Sequence, residues 1–123
     1  MLVALSGRGT NMAKEDLLTL VEEAHALNAD VFSLTRLQLL SSLAALGRDG
    51  STYRELKAVL QLSDGALHSN LKVLEGMGYV AAGEVKIENK ELTTYRITDD
   101  GKAAWSQTRG WLQKFLNYSG ENR

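Results

Sequence analysis

The sequence predicts a mainly α domain with one small β-hairpin, its elements ordered helix-helix-helix-helix-hairpin-helix. Apolar residues recur at the three- and four-residue steps of a helix through about 13–27, 31–46 and 99–118. Two shorter helical patterns, about 52–60 and 63–77, are separated by little more than Gln61 and Leu62. The pattern then changes to that of strand, turn and strand in "YVAAGEVKIENKELTTYRIT".

Taken in order, the first helix places Leu17, Leu20, Val21, Ala24 and Leu27 on one face, with Glu15 and Asp16 near the positive end of its dipole. Before it, an apolar stub and "SGRGTN" predict a flexible tail over 1–12, or an upstream translation artefact ahead of Met12. "NAD" breaks the chain, and Asp30 is placed to cap the second helix. That helix carries Phe32, Leu37, Leu40, Leu43 and Ala44 on a broad apolar face, which predicts a central position. Gly47 is placed to end it, and "GRDGS" predicts a loop. Thr52 stands three residues before Glu55, the spacing of a capping box. Ser63 is a good cap for the fourth helix and Gly78 closes it from the left-handed position.

The hairpin is expected to turn through the four residues "ENKE", with Tyr95 and Ile97 inward and Thr94 and Arg96 outward. Thr98, Asp99 and Asp100 form a helix start. The last helix carries Ala104, Thr108, Trp111 and Phe115 on one stripe, with Trp105, Leu112 and Leu116 beside it. Residues 13–118 are thus expected to form a single domain, with a short tail at 119–123.

Composition narrows the chemistry. The 123 residues suit one core, and 44% apolar with 24% charged residues is ordinary for a globular domain. No apolar run approaches the roughly 20 residues that span a bilayer, and "MLVAL" is too short for a signal peptide, so no membrane association is expected and the protein reads as cytoplasmic. The absence of cysteine removes disulfides, thiolate metal sites and cysteine nucleophiles. His25 and His68 stand apart from any metal-ligand spacing, so neither a metal nor another cofactor is expected. "GRGTN" is too short for a phosphate-cradling loop, and no catalytic constellation emerges, so an enzyme is not expected. With 14 basic and 15 acidic side chains, the net charge of −1 is low for a nucleic-acid binder.

The pair of helices at 52–77 nonetheless has helix-turn-helix proportions. An α-helix fits the major groove, and its N-terminal half approaches the base edges. Leu67, Leu71 and Leu74 supply the packing face; Gly65, His68, Ser69 and Lys72 fall on the opposite arc, with Ala66 and Asn70 at its margins. The following hairpin can lie along the sugar-phosphate backbone as a wing, with Lys86, Lys90 and Arg96 as its cations and Asn89 at its tip.

Residues 31–116 resemble a winged helix-turn-helix transcriptional regulator of the MarR/ArsR-like superfamily, in its small single-domain branch. The resemblance rests on "TRLQLLSSL", "TYRELKAVLQLSDGALHSNLKVLEGMGYV" and "TTYRITDDGKAAW", in the order and spacing of that family. It implies a homodimer that binds operator DNA, with Ser63 opening the recognition helix. Groove-facing positions fall on Asp64, Gly65, Ala66, His68, Ser69, Asn70 and Lys72, a phosphate contact on Arg54 and the wing tip on Asn89 and Lys90. Lys57 and Arg48 stay open between phosphate contact and solvated surface, and Arg36 is expected in a structural ion pair. There are departures. Gln61 occupies the turn where relatives often carry glycine, which is tolerable if this residue is not left-handed. Glu84, Glu88 and Glu91 around Lys86 and Lys90 leave the wing nearly neutral, and the thiolates of metal-sensing relatives are absent.

Trp105 and Trp111 are expected to bury apolar area against a neighbour rather than to line a ligand pocket. The preferred account is a homodimer built from the first and last helices through Leu17, Leu20, Val21, Ala24, Trp105, Trp111, Leu112 and Phe115. Such a dimer would set recognition helices roughly 34 Å apart on a near-palindromic site. The alternative is a winged-helix module that binds another protein and not DNA, for which the neutral wing speaks. A small-molecule effector is left open, with no residue assigned to it.

Overall fold

The computed structural model describes residues 10–118. Of the tail expected over 1–12, residues 1–9 lie outside them, as does the tail at 119–123, while Thr10–Met12 belong to a helix. The chain divides into two compact units, one holding the residues up to Asn28 and from Ser106 onward, the other Ala29–Trp105. Among the described residues no helix is long and apolar enough to cross a membrane.

The Ala29–Trp105 unit begins with a 3-10 turn at Ala29–Val31, which drives Val31 to complete burial. This turn displaces Asp30 from the cap expected of it. Helix α2 (Leu34–Leu46) is capped instead by Ser33, whose Oγ accepts from the Arg36 amide at 3.0 Å. Leu39, Leu40 and Leu43 on α2 are fully buried, which gives the helix its central place. Gly47 (φ +65°) ends it and donates back to the Leu43 carbonyl. After a second 3-10 turn (Gly47–Asp49), Ser51–Thr52 form a short strand, β1, within the stretch expected to be loop. Two residues are too few to display an alternating pattern, so this strand leaves no signal in the sequence.

Helix α3 (Tyr53–Leu60) starts from the anticipated capping box. Thr52 Oγ1 accepts from the Glu55 amide at 3.1 Å, and the Glu55 carboxylate accepts from the Thr52 amide at 2.9 Å. Gln61 ends α3 in the left-handed region (φ +54°, ψ +46°), so the condition under which a non-glycine residue is easily tolerated there is not met. The turn to the next helix is so short that the chain must reverse at this residue whatever its side chain. Helix α4 (Asp64–Gly76) follows from Ser63, whose Oγ accepts from the Ala66 amide at 3.1 Å. Gly78 (φ +79°) releases the chain from α4, and the Tyr79 amide donates to the Leu74 carbonyl at 3.0 Å.

Strands β2 (Val80–Ile87) and β3 (Lys90–Ile97) form the hairpin, in register from Val80 opposite Ile97 to Ile87 opposite Lys90. Its turn is Glu88 and Asn89 alone, both with positive φ, so Lys90 and Glu91 lie in the strand and the four-residue turn is corrected to two. Two successive positive φ values match the twist of the flanking strands. β1 pairs antiparallel with β3, and the sheet order is β1-β3-β2. Ile97 is buried and Arg96 exposed, as the alternation predicts. Leu56 of α3, Leu67, Leu71 and Leu74 of α4, Val80 and Ile97 join the α2 leucines in one core.

Helix α5 (Asp99–Leu116) begins at Thr98, whose Oγ1 accepts from the Gly101 amide at 3.0 Å and donates to the Gly78 carbonyl at 2.6 Å. A Cβ on Gly101 would sit 2.2 Å from the Tyr79 carbonyl oxygen, so only glycine lets α5 start this close to β2. In the other unit, α1 (Thr10–Ala24) begins three residues before its expected start. There Leu20 is buried, Trp111 Nε1 donates to the Leu20 carbonyl at 2.9 Å, and Lys114 pairs with Glu23 at 3.2 Å. The Trp111 and Phe115 rings stack at 5.3 Å.

Candidate nucleic-acid interface

The outer arc of α4 is set by the burial of its inner one. Leu67, Leu71 and Leu74 are at most 1% exposed, and at 3.6 residues per turn this turns Gly65, His68, Ser69 and Lys72 to the surface. His68 and Lys72 make no side-chain hydrogen bond or ion pair within the described residues, and Ser69 Oγ makes one long bond of 3.4 Å to the Ala66 carbonyl. A Cβ on Gly65 would meet nothing within 4 Å. The first turns of α4 therefore present a bare, low-relief surface with free donors beyond it.

Asn70, at the margin of this arc, is engaged. Its Oδ1 accepts from Arg36 Nη1 at 2.9 Å and its Nδ2 donates to the Ala66 carbonyl at 2.7 Å. Arg36 Nε also donates to the Asp30 carbonyl, so this guanidinium ties α4 to α2 through neutral acceptors where an ion pair was expected. Asp64 is engaged too. Lys57 Nζ lies 3.0 Å from its carboxylate, and Tyr53 Oη donates to the same carboxylate at 3.3 Å and to the Asp64 carbonyl at 3.2 Å. The Lys57 ammonium holds the Asp64 carboxyl below its ordinary value. The Tyr53 hydroxyl is pushed up, first by burial and then by Asp64. This cluster fastens the start of α4 to α3. Neither Tyr53 nor Arg36 stands out in the sequence as a partner of α4, because their bonds join residues 11 and 34 positions apart.

Arg54, in the first turn of α3, is exposed, and with Thr52, Tyr53, Glu91, Leu92, Thr93 and Tyr95 it lines a small cleft of about 180 Å³ between α3 and β3. At the wing tip, Asn89 and Lys90 are exposed. Lys86 lies directly opposite Glu91 across the hairpin, and Glu84 accepts from Thr93 Oγ1 at 3.3 Å. The wing therefore carries little net positive charge. Of the residues assigned to a dimer surface, Leu17, Val21 and Phe115 are exposed, while Ala24, Trp111 and Leu112 are half-buried. Leu20 is buried within its own unit, and Trp105 packs on the core of the other. Leu18, 64% exposed, extends the apolar surface of α1 beyond the assigned positions.

The family model described as "Winged helix DNA-binding domain" matches residues 35–116. Among solved structures, the chain is similar to the transcriptional regulator homologue protein from Pyrococcus horikoshii OT3. The two share 24% identity with a TM-score of 0.68, over 84% of this chain and 95% of that one. It is similar in fold to S. aureus MepR in its complex with DNA, at 14% identity and a TM-score of 0.62, over 87% and 81% of the two chains. The multiple antibiotic resistance repressor MarR also superposes, at 21% identity and a TM-score of 0.60, over 95% of this chain and 80% of that one. No match was found among curated proteins.

Proposed function

The chain belongs to the winged-helix DNA-binding domain family, and from that premise we propose that it is a homodimeric transcriptional regulator that reads an operator in duplex DNA through α4. The observation that carries the reading is the split character of α4. Its leucines are consumed by the core, while His68, Ser69 and Lys72 face outward beside the bare surface at Gly65 and Ala66. In this reading α4 enters the major groove by its N-terminal half, where His68 and Ser69 approach base edges and Lys72 meets a phosphate. Arg54 grips the backbone from α3, and Asn89 with Lys90 touch it from the wing.

Ser63, Asp64 and Asn70 act in support of this surface. Ser63 caps the helix, Asp64 fastens it to α3, and Asn70 with Arg36 fixes it on α2. The dimer forms through the apolar face of α1 and the end of α5, around Leu17, Val21 and Phe115. The similarity in fold to MepR, which was solved as a complex with DNA, supports DNA as the partner.

Selection of bound duplexes from a randomised pool, followed by sequencing, tests the proposal. A two-fold symmetric motif with half-sites about one helical turn apart is expected. Recovery of a pool with no enriched motif would overturn it.

A further inference from the structure

Away from the α3–α4 face lies a second concentration of cationic groups. Arg48 from the 3-10 turn before β1, Arg96 from β3 and Lys102 from the first turns of α5 line one cleft of about 650 Å³ with Ile97, Thr98 and Asp99. All three cations are exposed, and none makes an ion pair or side-chain hydrogen bond within the described residues. Asp99 is the single carboxylate in the wall. The three come from separate segments of the Ala29–Trp105 unit, and only the fold brings them together.

The position of Arg96 keeps its guanidinium uncovered. Its partner across the hairpin is Ala81, and on the β1 side a Cβ on Gly50 would lie 3.1 Å from Arg96 Cβ. Both neighbours have little or no side chain, so nothing screens Arg96 along the sheet. Strand alternation sends Ile97 into the core and Arg96 to the opposite face. Along β3, Arg96 stands seven residues from Asn89, roughly 23 Å from the wing tip at the rise of a strand. Arg96 is thus on the face of the sheet turned from the core and far from the tip.

We propose that this cleft is a binding site for a small phosphorylated ligand. Two guanidinium forks and an ammonium supply the bidentate and point-charge donors that a phosphoryl group takes up. The concavity favours a compact anion over a rod-like duplex, and Asp99 leaves room for a ligand with a hydroxyl or amine beside its phosphate. The site does not depend on the DNA-binding reading.

Calorimetric titration of the whole chain with pyrophosphate at low ionic strength, together with amide chemical-shift mapping, tests the site. Saturable binding is expected, with shifts centred on Arg48, Arg96 and Lys102. Arg96→Ala should weaken it roughly tenfold, since a charged hydrogen-bonding partner is lost. Arg48→Ala/Arg96→Ala should abolish it without changing the thermal midpoint, because both side chains are exposed and make no ion pair or side-chain hydrogen bond within the described residues. Lys72→Glu should leave it intact. Absence of binding at millimolar pyrophosphate, or equal binding by the double variant, would overturn the proposal. So would equal loss of duplex-DNA affinity in the double variant, which would make the cluster a backbone contact.

Discussion

Lys72 and Asn70 lie two residues apart on α4 and do different work. Lys72 is exposed and has no side-chain partner among the described residues, so its charge is available to a phosphate; the amide of Asn70 is used at both ends inside the chain. Lys72→Glu is expected to lower duplex affinity by roughly tenfold or more while leaving the thermal midpoint unchanged, as measured by anisotropy and calorimetry. Asn70→Ala is expected to lower the unfolding free energy in urea by about 1–2 kcal/mol, because Arg36 loses a half-buried acceptor. Gln61 is a third case. Its left-handed backbone is unfavourable for any residue with a Cβ, so Gln61→Gly should stabilise the fold by up to about 1 kcal/mol. The outward arc of α4 was legible in the sequence because helical period alone separates it from the leucines. The commitment of Asn70 was not, since its partner is 34 residues away and nothing local marks the pair.

At the scale of elements, three helix starts were readable, whereas α2 is capped by Ser33 rather than Asp30 and α1 begins ahead of its expected residue. Thr52 with Glu55, Ser63, and Thr98 each place a short oxygen acceptor ahead of a periodic run, and each caps in the structure. The capping box also carries a pH dependence. The backbone amide and hydroxyl of Thr52 bond to the charged Glu55 and hold its carboxyl below the ordinary value; the Lys57 ammonium does the same for Asp64. A carboxyl depressed in the folded state contributes stability above its unfolded value, and loses it as pH falls through the folded one. The urea midpoint should therefore drop as pH is lowered below about 4.3, and Glu55→Gln/Asp64→Asn should flatten that slope. The hairpin turn and β1 were not readable. Glu88 takes a positive φ without being a residue type that announces one, and β1 exists only through its pairing with β3.

For the molecule as a whole, the order of elements followed from periodicity, but the use of their surfaces did not. Leu20 and Trp105 look like candidates for a dimer surface on a helical wheel, yet Leu20 is buried and Trp105 is half-buried against core residues. Leu17, Leu18 and Val21 remain exposed on α1, at 43%, 64% and 47%. Val21→Glu is expected to convert a dimer to a monomer in sedimentation equilibrium without loss of helicity. The net charge of −1 makes local donors decisive, because the chain has no general attraction for phosphate. Fluorescence anisotropy of a labelled duplex carrying the selected site, titrated with the protein at low and at physiological salt, is the measurement that decides the matter. Saturable binding whose affinity falls steeply with salt, and which Lys72→Glu removes, is the predicted result. Flat anisotropy even at low salt would contradict DNA reading by α4, and the nearly neutral wing would then direct the search to a protein partner.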